Sequence, residues 1–295
     1  MKTILKHLTE YSGFFLISRL FKLLGLKKAS ALAGFLGKNI GPYLPATKTA
    51  RNNLSHIFPN IEPIAKEQII SEIWEHWAKV ASEYCHLKSF FNDSLIEVRG
   101  AEILESLPCK KAIFFSAHLG HFQMIPLILK KRGWPVLQLY RQANNPFVDK
   151  DMRSFQKQVC HQVASKSENA VFKMIQALKR QESVFVLVDQ RFGPGPQIPF
   201  MGYPAYTLTT PAELCKRFEC PFIPVRSERL NPTPQAPAWF RITFYPPLSC
   251  QGSAEETMIE AHELMEQWIK DTPAQWFWVH KRWIFKKNPE EDILF

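Results

Sequence analysis

The hydrophobic positions change period along the chain. Between residues 64 and 91, Ile69, Ile70, Ile73, Trp74, Trp77, Val80, Ala81 and Tyr84 recur at three- and four-residue spacing, which predicts one long helix. Residues 1–44 also read as helical, interrupted at Gly34, Gly37 and Gly41-Pro42. Beyond residue 95 the pattern shifts to short apolar runs. Those at 96–100, 112–117, 136–140, 183–188, 221–226 and 239–245 have the length and Val/Ile/Phe content of strands. Between them, helical spacing returns at 121–132, 147–160, 169–180 and 255–270, and Thr209-Thr210-Pro211 opens a further helix. Pro126 kinks the first of these or marks its true start. Residues 191–204, with Gly193-Pro194-Gly195-Pro196, read as a rigid loop. Strand and helix in alternation predict an α/β fold: a mixed, largely parallel sheet flanked by helices.

Ala112 to Ala117 is apolar throughout, so its strand is expected to be buried on both faces. His118 then falls at its C-terminal end, with Gly120 permitting a tight turn. In open α/β sheets the crevice beyond the strand C-termini is where ligands bind. Two other strands end in polar groups, Tyr140-Arg141 and Asp189-Gln190. If all three strands are parallel, these residues converge. His118 is then a candidate general base and Arg141 a candidate for binding an anion or oxyanion. Asp189 either orients the base or caps the following loop. The bland alternatives are a core histidine and a surface ion pair.

Other chemistries find little support. His118 and His121 form an H-x-x-H pair without a Cys or Glu ligand at useful spacing, so no metal or other cofactor is expected. There is no G-x-S-x-G elbow, no phosphate-binding P-loop and no dinucleotide-binding turn. The six cysteines include no C-x-x-C pair and read as reduced thiols.

Charge and apolar surface add a direction. Lys and Arg number 37 against 27 Asp and Glu, a net charge of +10, which favours an anionic partner. The basic residues are dispersed, so nucleic acid is not expected. Residues 14–26 set Phe14, Phe15, Ile17, Leu20, Phe21, Leu23 and Leu24 among Arg19 and Lys22. No cleavable signal peptide is evident, and charges interrupt the run before it reaches the length of a spanning helix. It reads instead as an amphipathic helix pressed onto an anionic membrane surface. The expected organisation is therefore a membrane-associating segment at 1–45 and a single domain at 46–295.

One set of blocks resembles a known family. His118-Leu119-Gly120-His121-Phe122-Gln123 and Tyr140-Arg141-Gln142-Ala143-Asn144-Asn145-Pro146 are similar to motifs of the bacterial lipid A biosynthesis acyltransferases, the lauroyl and myristoyl transferases. The likeness continues through Val188-Asp189-Gln190, Pro199-Phe200-Met201-Gly202, Thr209-Thr210-Pro211-Ala212 and the run from Trp276 to Trp283. Upstream, Arg51-Asn52-Asn53-Leu54 and Phe58-Pro59 also fit, so the resemblance spans about residues 12–286. It implies a glycerolipid-acyltransferase-like fold on the cytoplasmic face of a Gram-negative inner membrane. It also implies transfer of a fatty acyl group from acyl carrier protein to a hydroxyl of a lipid A precursor. A phospholipid or glycolipid hydroxyl is the alternative acceptor. The catalytic residues implied are His118, Gln123, Arg141 and Asp189; the substrate-binding residues are Asn145, Gln190 and Arg153.

The chain departs from the family at one position. The motif is His, four residues, then Glu or Asp, and here Gln123 stands in the acid's place. An amide can hold a histidine tautomer, but it stabilises the imidazolium less than a carboxylate does. Three outcomes stay open: a slowed enzyme, substitution by another carboxylate (Asp189 or Glu168), or a relative that binds lipid or carrier without turnover.

Overall fold

The computed structural model describes residues 2–165 and 169–285. Three helices come first: α1 (Lys2–Ile40), α2 (Thr47–Ile57) and α3 (Pro63–Glu83). The α/β part follows in the order β1 (Ile96–Arg99), α4 (Ala101–Glu105), β2 (Ile113–Ser116), α5 (Met124–Lys131), β3 (Val136–Tyr140), α6 (Pro146–Val159), β4 (Gln162–Ser165), α7 (Ala170–Lys179) and β5 (Ser183–Leu187). A hairpin of β6 (Gln197–Phe200) and β7 (Tyr203–Tyr206) comes next. The described chain continues through α8 (Thr210–Phe218), β8 (Phe222–Arg229), β9 (Phe240–Phe244) and α9 (Ala254–Asp271).

Seven strands form one sheet in the order β1-β9-β8-β2-β5-β3-β4. The pairings among β8, β2, β5, β3 and β4 are parallel, and β9 runs antiparallel to β8. The expected mixed, largely parallel α/β sheet is therefore present. Its central strands are apolar throughout because both faces are covered. Ile113, Phe115, Val184 and Val186 enter one core with α7, α8 and α9. Phe114 and Phe185 enter the other with α5 and α6. Burying one such side chain contributes about 1.5–3 kcal/mol.

Several sequence expectations are corrected. The N-terminal helix is not broken at Gly34 or Gly37; α1 runs on to Ile40, with its kink at Gly25. Gly37 serves close packing, since a Cβ there would lie 2.4 Å from the Trp74 carbonyl of α3. The helix expected at 64–91 ends at Glu83 and continues as a 3-10 segment, Tyr84–Phe91. β4 was not expected; it is a short edge strand beside β3. The rigid loop at 191–204 contains β6, which pairs with β7. Pro199 and Pro204 face each other across that hairpin and hide its strand pattern. Met201 and Gly202 turn it with positive φ at both positions, as a two-residue hairpin turn requires. Cys215 of α8 and Cys250 after β9 form a disulfide, so the expectation of six reduced thiols fails. That pairing joins residues 35 apart in sequence, and spacing alone gave no sign of it.

Candidate active site

The register of two strands builds the site. β2 and β5 pair in parallel with Phe115 opposite Val186 and Ser116 opposite Leu187, an offset of 71 residues. Carried two residues past the strand ends, the same offset puts His118 beside Asp189. The last backbone rung is Val188 N–H to the Ser116 carbonyl, 3.1 Å. At the next rung the His118 N–H bonds not a carbonyl but the Asp189 carboxylate, 2.9 Å to Oδ2. The other oxygen, Oδ1, lies 2.7 Å from His118 Nδ1. Trp276 Nε1 donates to Oδ2 at 2.8 Å.

Asp189 is thus buried and ringed by three donors. Burial alone would raise its pKa; the His118 ring, its backbone N–H and the Trp276 indole outweigh that and hold it well below the usual carboxylate range. An ionised carboxylate accepts only, so His118 Nδ1 carries a proton and Nε2 presents a lone pair. The His118 side chain keeps 17% of its surface exposed. Phe122 and Phe277 flank it, with ring centroids 5.3 and 6.2 Å away. This is a base oriented by a third group, with its reactive nitrogen accessible.

The turn carrying His118 is held from several sides. Gly120 has φ +57°, and a Cβ there would lie 2.3 Å from the Ser227 carbonyl, so only glycine fits. Phe277 N–H bonds the His118 carbonyl at 3.1 Å, and Gly120 N–H bonds the Gln275 carbonyl at 3.2 Å. On the other side His76 Nε2 meets the Gly120 carbonyl at 3.1 Å. Arg229 Nε meets His76 Nδ1 at 3.2 Å, which makes Nδ1 the acceptor and Nε2 the donor. Burial, then the Arg229 charge, keeps His76 neutral by pushing its pKa well below the usual range. Glu83 pairs with Arg229 through both oxygens, and Ser30 of α1 donates to the same carboxylate at 2.7 Å.

Gln123 is not the partner of His118, which corrects the motif-based expectation. Asp189 already occupies Nδ1. Gln123 stands at the start of α5, fully buried, with its amide beside the Tyr84 hydroxyl but without a well-formed hydrogen bond. Glu168, the other carboxylate considered, lies outside the described residues. Arg141 follows β3 at the same sheet edge, exposed, and its charge acts on His280. Gln190 is half-buried beside Asp189, and its backbone carbonyl accepts from Arg282 at 3.5 Å.

Asn145 is structural rather than a free substrate ligand. Its oxygen caps α6 by accepting from Phe147 and Val148 N–H, and its amide donates to the His7 carbonyl and Glu10 of α1. Arg153 lies in the middle of α6, half-buried and with a partner of its own. Arg51 and Asn52 fall inside α2, and Arg51 pairs with Glu67 at 2.8 Å. His121 is fully buried, and the described residues include no group of three or more side chains arranged for a metal.

Sequence reasoning missed the role of the C-terminal block. Besides Trp276, Asn53 donates to the Trp278 and His280 carbonyls at 2.8 and 2.9 Å. Arg282 reaches the Tyr206 carbonyl, Thr207 and His262, and Trp283 reaches the Phe200 carbonyl. The blocks scattered along the sequence meet around the dyad. The signal available was the density of Trp, His and Arg in the run from Trp276 to Trp283.

No curated protein matches the chain. Among solved structures, the chain is similar to the 1-acyl-sn-glycerophosphate acyltransferase PlsC from Thermotoga maritima, at 16% identity and a TM-score of 0.41, covering 89% of this chain and 97% of that one. The family model for bacterial lipid A biosynthesis acyltransferases matches residues 1–284. The chain therefore belongs to the bacterial lipid A biosynthesis acyltransferase family.

Proposed function

We propose that the protein transfers a fatty acyl group from acyl carrier protein to a hydroxyl of a lipid A precursor, at the cytoplasmic face of the inner membrane. The observation that carries this reading is the His118–Asp189 dyad at an accessible sheet edge. His118 Nε2 takes the proton of the acceptor hydroxyl as its oxygen attacks the thioester carbon. The new C–O bond forms, and the carbonyl pair moves onto oxygen. Collapse of the intermediate breaks the C–S bond, and the imidazolium returns its proton to the departing sulfur. Asp189 holds the tautomer and stabilises the imidazolium. Gln123 has no part in these steps.

The surroundings support a lipid acceptor. α1 exposes a broad apolar face, with Leu5, Leu16 and Leu23 at 67%, 67% and 87%. Arg19, Lys22, Lys27 and Lys28 are exposed among these residues. Such a surface suits an anionic leaflet. No helix among the described residues is long and apolar enough to cross a membrane. The start of α1 is fastened to the start of α6 by Asn145 and by Tyr11 against Phe147, ring centroids 5.6 Å apart. α6 begins just beyond β3, at the edge where His118 stands. The start of α1 thus lies beside the segment that follows β3. The net charge of +10 suits an acidic carrier protein and a phosphorylated lipid.

Mass spectrometry of lipid A tests the reading, using cells that lack the protein, carry it, or carry His118→Ala. The proposal expects one acyl chain fewer without the protein and with the variant. Identical lipid A in all three would contradict it.

A further inference from the structure

His280 has no place in the steps above, yet its setting equips it for one. It is tied to His118 through the backbone: Phe277 N–H bonds the His118 carbonyl at 3.1 Å, and His280 N–H bonds the Phe277 carbonyl at 3.3 Å. Asn53 fixes the His280 carbonyl at 2.9 Å. The ring itself meets the strand that supplies Asp189. Arg191, two residues beyond Asp189, donates its backbone N–H to His280 Nε2 at 3.0 Å.

That contact decides the tautomer. A ring nitrogen that accepts a hydrogen bond carries no proton, so the proton of the neutral ring sits on Nδ1. The ring is neutral: burial, aided by the Arg282 and Arg141 charges and opposed by that of Asp189, lowers its pKa to about 4. No described residue accepts from Nδ1. His280 is half-buried, so this N–H remains open to an incoming group.

We infer that His280 is a further catalytic residue, a neutral donor whose Nδ1–H bonds the thioester carbonyl oxygen as it gains negative charge. This rests on the acyltransferase reading. No proton moves at His280. The electron pair displaced by the attacking oxygen settles on the thioester oxygen and returns when the C–S bond breaks; the donor stabilises it in between. A neutral donor suits this site because a second cation there would raise the cost of forming the His118 imidazolium. Arg191 acts as a positioning residue through its main chain.

The test follows thiol release from dodecanoyl-acyl carrier protein with a lipid A precursor in detergent micelles, for wild type, His280→Ala and His280→Gln. Losing one preorganised donor lowers kcat about 10²–10³-fold. KM stays within about threefold, since the bond strengthens in the transition state. Gln can accept from Arg191 and donate onward, so His280→Gln is expected to recover most of the loss. A His280→Ala kcat within about threefold of wild type would overturn the inference, as would a loss that Gln does not recover. Nitrogen-15 NMR of histidine-labelled wild-type protein at neutral pH decides the tautomer independently of turnover. A proton on Nε2 of His280 overturns the proposal, and one on Nδ1 supports it. A wild-type protein that releases no thiol contradicts the acyltransferase reading, and the NMR result still judges the geometry of His280.

Discussion

Arg229 and Glu83 meet in a two-pronged ion pair, 2.9 and 2.6 Å, directly behind the turn that carries His118. Glu83 is fully buried, and Arg229 passes the constraint on through His76 to the Gly120 carbonyl. Burial alone would raise the Glu83 pKa; the Arg229 charge prevails and lowers it. Glu83→Gln leaves a buried guanidinium without its counter-charge, a change that costs about 3–5 kcal/mol. Urea unfolding is expected to report a loss of that size, together with reduced turnover. An unfolding midpoint equal to wild type would contradict the role given to this pair.

Trp276 and Asp189 provide a second check. Trp276→Phe keeps an aromatic ring in the edge-to-face contacts with Phe200, Trp278 and Trp283 but removes the donor to Oδ2. A hydrogen bond to a charged group contributes about 1.5–3 kcal/mol. The variant is expected to lose stability in that range, and its pH–rate profile is expected to shift because Asp189 ionises less readily. An unchanged profile would show that the indole only packs.

Stability is expected to fall on acidification. Burial depresses the His121, His262 and His280 pKa values to about 4. The unfolded chain titrates its histidines near 6.5, at about the ordinary value. Between these values the unfolded state binds protons that the native state does not, so stability rises with pH across that window. Asp189 and Glu83, whose pKa values are lowered, act in the same direction below about pH 4.5. Urea midpoints should therefore drop steadily from pH 7 to pH 4.5. A flat profile over that interval would contradict the neutral, buried state of these rings.

Much of the α/β architecture was legible because its signals are local. The apolar runs at 112–117, 136–140 and 183–188 place three central strands within a residue or so. His118, Arg141 and Asp189 were legible as strand-end residues for the same reason. Asp189 as the group that orients His118 was legible only as one of several alternatives, because the choice depends on β5 lying next to β2, while β3 and β4 lie farther out. Sheet order is a long-range property with no local trace. Motif spacing pointed to Gln123 as the partner; the fold turned that side chain inward and used the neighbouring strand instead. Asn145 misled in the opposite way, since Asn before Pro reads equally as a cap or as a ligand. β6 and β7 escaped notice because their prolines argue against strand.

The central claim is that Asp189, not the residue at the family's acidic position, is the partner of His118. Turnover of Asp189→Asn beside Gln123→Met tests it most directly. The comparable Asp-to-Asn change in a serine protease triad lowers turnover by about 10⁴. Asp189→Asn is expected to lose between about 10² and 10⁴. Gln123→Met keeps the volume and removes only an amide without a well-formed partner, so it is expected to stay within about threefold of wild type. A severe loss at Gln123 with near-normal turnover at Asp189 would contradict the account.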